Sequence, residues 1–133
     1  MSDSASLTAL DLKVEDQLRY DPAGAIHQRQ VATRQELARR RRRALRTARQ
    51  AASLLHETYD VQRVVLFGSL AKRNSFTLWS DIDLAVLGIA PHLFYAAVAT
   101  VTGLSPEFKI DLVDLDVCKP ALRITIEGEG IEL

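Results

Sequence analysis

From Thr33 to Tyr59 the chain has no glycine or proline and is rich in Ala, Leu, Arg and Gln, all good helix formers. Such a run commits the fold to one long helix ahead of everything else. Leu37, Ala44, Leu45, Ala48, Ala51, Ala52, Leu55 and Tyr59 recur at three- and four-residue steps, so one stripe packs on a core. Arg41 interrupts the stripe, and the first turns should overhang that core. Then the period changes. Arg63-Val64-Val65-Leu66-Phe67 is a β-branched, apolar run of strand length that stops at Gly68-Ser69. Ser80 to Leu87 alternates acids with aliphatics as far as Ala85, and Phe108 to Leu115 is a third strand with Asp111 and Asp114 embedded. Pro91 to Thr102 reads as a helix opened by proline, and Val117 to Glu127 as a last helix broken by Gly128 and Gly130. The order is helix, strand, strand, helix, strand, helix: a small sheet flanked by helices.

With 133 residues, 47% of them hydrophobic and 26% charged, the chain suits one soluble globular domain. A single cysteine, Cys118, excludes an internal disulfide and points to a reducing compartment. Met1 to Ser6 lacks the basic start and apolar run of a secretory signal. No stretch approaches the ~20 apolar residues needed to span a membrane. A cytoplasmic location is the expectation. Residues 1–28 are expected to be a loosely ordered N-terminal segment unless a partner holds them, with a short helix over Leu7–Leu18 ended by a turn at Asp21-Pro22-Ala23-Gly24. Residues 29–133 form one domain that includes the basic helix 33–59.

The net charge is zero, yet Arg29 to Arg49 holds nine arginines against Glu36 alone. Five of them, Arg39 to Arg43, are consecutive and so point to every side of a helix. Arg39, Arg40, Arg42 and Arg43 are read as solvated and partner-binding, whereas Arg41 falls on the packing stripe. An acidic protein surface fits them better than nucleic acid, because no aromatic residues interleave as in single-strand readers.

The chemistry lies in Leu66-Phe67-Gly68-Ser69 and, further on, Asp81-Ile82-Asp83-Leu84. On a strand, i and i+2 share a face with Cα atoms roughly 6–7 Å apart, so Asp81 and Asp83 stand side by side. Two like charges ~5 Å apart repel by about 3 kcal/mol at an effective dielectric of ~20. A divalent cation offsets that repulsion, and hard ions such as Mg²⁺ take carboxylate oxygens together with substrate phosphates. A glycine directly after a buried strand lets the backbone approach a ligand, and Ser69 would open a short helix whose N–H groups attract anions. A phosphate cradle facing a two-carboxylate metal site suits phosphoryl or nucleotidyl transfer.

This ordered set, Val65-Leu66-Phe67-Gly68-Ser69 followed by Ser80-Asp81-Ile82-Asp83-Leu84-Ala85-Val86, resembles the minimal nucleotidyltransferases of the DNA polymerase β superfamily. The third acid of that pattern is best matched by Asp111 in Lys109-Ile110-Asp111-Leu112, and Leu122 to Gly128 is similar to the family's usual end. The likeness covers roughly Ala44 to Leu133. It implies an α+β nucleotidyltransferase fold, a small mixed β-sheet flanked by helices with the long helix N-terminal to it. It also implies transfer of a nucleoside monophosphate, usually AMP from ATP, to a hydroxyl. Asp81 and Asp83 would bind Mg²⁺, Asp111 would complete the site near the acceptor oxygen, and Gly68 and Ser69 would hold the nucleotide. Many small members are antitoxins paired with a HEPN-type ribonuclease toxin, and some adenylylate a tyrosine of that partner. Where many members carry an arginine two residues after the glycine, this chain has Leu70, so Lys72 or Arg73 would supply the phosphate contact. At Asn74, where many have another glycine, asparagine can keep a left-handed turn. The alternatives are a non-catalytic antitoxin that works by occlusion and a nucleic-acid binder using the arginines. Phe76 and Trp79 are expected to anchor the loop on the sheet, Asp114 and Asp116 to be a solvated strand end, and Cys118 to pack as a small hydrophobe. His27, His56 and His92 show no metal-ligand spacing.

Overall fold

The computed structural model describes residues 22–133, so the expected helix over Leu7–Leu18 lies outside the described residues. The structure has two units, Met1–Glu36 and Leu37–Leu133. Of the first, the described part is the opening of helix α1 (Pro22–Tyr59). The helix therefore starts well before Thr33, and Pro22-Ala23-Gly24 opens it rather than forming a turn. Proline is preset for a first helical turn, and the alanines and glutamines that follow favour its continuation.

The second unit is built on a four-stranded sheet ordered β3-β2-β1-β4. Its strands are β1 (Arg63–Phe67), β2 (Ile82–Leu87), β3 (Ile110–Asp114) and β4 (Ile131–Glu132). β1 pairs antiparallel with β2 and β4, while β2 and β3 run parallel. The sheet is therefore mixed. The helix after β2 begins as a 3-10 turn at Pro91–Leu93 and continues as α2 (Phe94–Thr102); α3 (Pro120–Glu129) follows β3. α3 runs through Gly128, where a Cβ would meet nothing, and ends at Gly130. At Gly130 a Cβ would run into Val65 and the Ile126 carbonyl. That bare backbone lets the chain turn from α3 straight onto β1 as β4, a strand too short to show a period of its own.

Alternation along the strands gives the sheet two dressed faces. Val64 and Leu66 of β1, Ile82, Leu84 and Val86 of β2 and Ile110 of β3 join Ala44, Ala48, Ala51, Ala52 and Leu55 of α1 and Ala97 and Val101 of α2 in one core. The small alanines let α1 lie close on the sheet, as the stripe predicts. On the other face Val65, Ala85, Leu115 and Ile126 form a smaller cluster, with Phe67, Leu87, Val113 and Cys118 at its margin. Asp83 and Asp111 have the parity of this second face. They sit at its end, ahead of the aliphatics that the cluster buries.

One expectation at the sheet margin changes. Asp114 is buried rather than solvated; its carboxylate accepts the Asp116 N–H at 3.0 Å, capping the turn after β3. Asp116 is exposed but accepts the Gly88 N–H at 3.0 Å, tying that turn to the end of β2.

Candidate active site

The site begins where β1 ends. Phe67 is extended, and Gly68 then takes φ +72°, a left-handed conformation that side chains other than glycine's adopt at a cost. Gly68–Leu70 is a single 3-10 turn closed by the Ala71 N–H on the Gly68 carbonyl at 3.2 Å. Ser69 thus opens one turn and not a helix with a sizeable dipole. A Cβ on Gly68 would collide with the Asp83 carboxylate, so the bare glycine backbone and that acid share one small space. Leu70, in place of an arginine, points inward and is fully buried. Asn74 holds φ 66° and supplies the left-handed turn expected of it.

Asp81 immediately precedes β2, and Asp83 lies within it, opposite Phe67 on one side and Asp111 on the other. Burial pushes the Asp83 carboxyl above the usual carboxylate range, and the negative charges of Asp111 and Asp81 add to the effect, against a smaller opposing pull from Lys109. Lys109 Nζ sits 3.6 Å from Asp111 Oδ1. The structure therefore brings Asp81, Asp83 and Asp111 into one electrostatic group beside Gly68-Ser69. Among the described residues no three His, Cys, Asp or Glu side chains are gathered closely enough to hold a metal as they stand. The donor chemistry nevertheless fits a divalent cation, since every side chain of the group offers hard carboxylate oxygens and their mutual repulsion is what such an ion relieves.

The basic residues divide. Lys72 Nζ pairs with Glu129 Oε2 at 3.1 Å, and Arg73 is exposed. Arg39 and Arg42 are exposed, as expected. Arg40 and Arg43 are not simply solvated: Arg43 grips Glu107 with contacts of 3.0, 3.0 and 2.8 Å, and the Arg40 side chain is only 17% exposed. Burial of the rings beside it draws Arg40 inward. Arg41 donates to the Leu70 carbonyl at 3.4 Å, which accounts for its place on the packing stripe. Arg46 and Arg49 are exposed and continue Arg39 and Arg42 at helical steps, so the outward basic face is longer than the consecutive run. The three- and four-residue spacing was the signal for it. Phe76 anchors the loop at 4% exposure, but Trp79 stands 85% exposed. The tight turn around Thr77 and Ser80, closed by hydrogen bonds of 2.9 and 3.2 Å, holds the intervening indole away from the sheet.

A mixed four-stranded sheet carrying Gly-Ser after one strand and paired acids on the next is the architecture of a nucleotidyltransferase. Residues 49–133 match the family described as polymerase beta, nucleotidyltransferase, and the chain belongs to it. Its fold is similar to that of the tri-AMPylated Shewanella oneidensis HEPN toxin complex with an MNT antitoxin (22% identity, TM-score 0.51, covering 67% of this chain and 70% of that one). A mutant MntA toxin–antitoxin complex is likewise similar (23% identity, TM-score 0.50, 64% and 70%). So is a toxin–antitoxin structure with AMP-PNP (25% identity, TM-score 0.50, 64% and 70%). No curated protein sequence matches the chain significantly.

Proposed function

We propose that this chain is a Mg²⁺-dependent nucleotidyltransferase, the cytoplasmic antitoxin of a toxin–antitoxin pair, which moves AMP from ATP to a hydroxyl on a HEPN-type toxin. The observation that carries the reading is the juxtaposition of Gly68, at φ +72°, with Asp83, itself paired in register with Asp111. The similar toxin–antitoxin structure with AMP-PNP supports ATP as donor. In this reading the turn at Gly68-Ser69 holds the phosphates, and Lys72 and Arg73 lie just beyond it for the outer ones. Asp81, Asp83 and Asp111 would hold Mg²⁺, which when bound neutralises the polyphosphate and aligns the attacking oxygen. The acceptor oxygen attacks the α-phosphorus, a new P–O bond forms, the bond to the β-phosphate breaks and pyrophosphate leaves. In this reading the acceptor's proton passes to Asp111, the acid that the family resemblance puts near the acceptor oxygen. Arg39 and Arg42, extended by Arg46 and Arg49, form the basic face that docks an acidic surface of the partner. ATP labelled at either phosphate end tests the reaction. Label at the α-phosphate should move to the partner, and movement of γ-label instead would make the chemistry phosphoryl transfer.

Two observations favour the non-catalytic alternative, an antitoxin acting by occlusion: Leu70 is buried where a phosphate-binding arginine would stand, and Lys72 is engaged by Glu129. The same labelling experiment separates the two, because occlusion leaves the partner unlabelled. The arginine-mediated nucleic-acid binder predicts instead an affinity for RNA or DNA that falls steeply with salt.

A further inference from the structure

Arg40 belongs to a helix on the face of the sheet opposite the acids, yet it touches both segments that deliver them. Its guanidinium carbon lies 4.6 Å from the Phe108 ring centroid and 6.0 Å from that of Phe76. One terminal nitrogen is 3.5 Å from the Ser80 carbonyl, the residue before Asp81, and the other is 3.7 Å from Glu107. Glu107 is fixed in turn by the two-pronged grip of Arg43. Phe76 and Ser80 lead into β2, and Glu107 and Phe108 lead into β3. Between them the Ile82 N–H donates to the Lys109 carbonyl at 2.9 Å, the first rung of the pairing that sets Asp83 opposite Asp111.

We propose that Arg40 is a positioning residue: by bridging Ser80 to Phe108 and Glu107, it locks the entry of β2 to the entry of β3 and so fixes how Asp81 and Asp83 meet Asp111. A planar cation suits the task, since its face stacks on rings while its edge donates in two directions. Packing alone does not explain a guanidinium there. Its Nε is buried with no hydrogen-bond partner among the described residues, a cost that an aliphatic side chain of the same length avoids. The bridging itself stands on contacts within the chain; its bearing on catalysis rests on the nucleotidyltransferase reading above.

The test compares Arg40→Met, which keeps the stem, and Arg40→Lys, which keeps the charge, with the unaltered chain. Amide hydrogen exchange is followed at Ile82 and, as controls away from the bridge, at Gln62 and Leu133, which donate to Leu87 and Val64. Arg40→Met should speed exchange at Ile82 about tenfold while leaving the controls within about twofold, as local opening does. Arg40→Lys should fall between. In the transfer assay kcat should drop about tenfold with KM for ATP little changed, because misplaced acids slow the chemical step more than binding. Exchange at Ile82 that is unchanged, or faster by the same factor at all three amides, would overturn the proposal. An unaltered chain with no transfer activity would refute the nucleotidyltransferase reading, and the exchange pattern would still decide the role of Arg40. If the Met variant fails to fold, the Lys variant decides on the same criterion.

Discussion

Replacing Asp83 by Asn should make the metal-free protein more stable while abolishing its activity. Asp83 and Asp111 are register partners on adjacent strands, which lie ~4.8 Å apart. With their charges about 5–6 Å apart, repulsion is about 3 kcal/mol at an effective dielectric of ~20. Both side chains are only half-buried, so solvent screening reduces this to about 1–1.5 kcal/mol. Asn keeps the shape and removes the charge, so the melting temperature should rise by about 4–6 °C in EDTA at neutral pH for a domain of this size. The sign with pH follows from the raised Asp83 carboxyl. The folded state prefers the protonated acid, so unaltered protein is penalised as pH rises through that titration and not at pH below the unfolded value of ~3.9. The advantage of Asn should therefore vanish in acid. Mg²⁺ should close the gap from the other side, since an ion at 100 times its Kd stabilises the unaltered protein by about 2.7 kcal/mol and the variant far less. Differential scanning calorimetry with EDTA and with Mg²⁺, at neutral and acidic pH, reads all of this. An Asn variant that melts lower in EDTA at neutral pH, or equal stabilisation of both proteins by Mg²⁺, would refute the reasoning.

Gly68→Val should eliminate transfer and also destabilise the fold, because φ +72° and the collision with Asp83 both oppose it; ATP binding measured by calorimetry at the unaltered affinity would place the phosphates elsewhere. Gly130→Ala should cost about 1–3 kcal/mol through overpacking against Val65 and the Ile126 carbonyl, with the loss confined to chemical denaturation and little change in kcat once folded. Converting Arg39, Arg42, Arg46 and Arg49 together to Gln should leave the melting temperature within a few degrees and slow association with an acidic partner, removing much of its salt dependence. An unchanged rate and salt slope by stopped-flow would mean that these side chains are only solvated.

Much of this site is written in local patterns. A glycine after a buried strand, acids alternating with aliphatics, and an asparagine able to hold φ 66° are each read from a few adjacent residues, and the strands formed close to where those patterns lie. What escaped depends on residues far apart in sequence. Arg40 differs from Arg39 and Arg42 through Phe76, Ser80, Glu107 and Phe108, which nothing in the arginine run announces. β4 is two residues held by the backbone of β1, so its existence depends on Gly130 allowing the close turn rather than on any strand pattern. Trp79 and Phe76 have similar hydrophobicity, but the turn closed at Thr77 and Ser80 exposes one and leaves the other buried. Asp114 looked like an exposed strand end because its partner is the backbone N–H of Asp116, which no side-chain pattern displays.

Whether a partner protein gains mass separates nucleotidyl transfer from occlusion. The chain and the proposed HEPN-type partner are incubated with ATP and Mg²⁺, and the intact partner is then weighed by mass spectrometry. The partner should gain one or more AMP units with the unaltered chain and none with Asp83→Asn. A partner of unchanged mass that is nonetheless bound and silenced would contradict transfer and leave an antitoxin that works by occlusion.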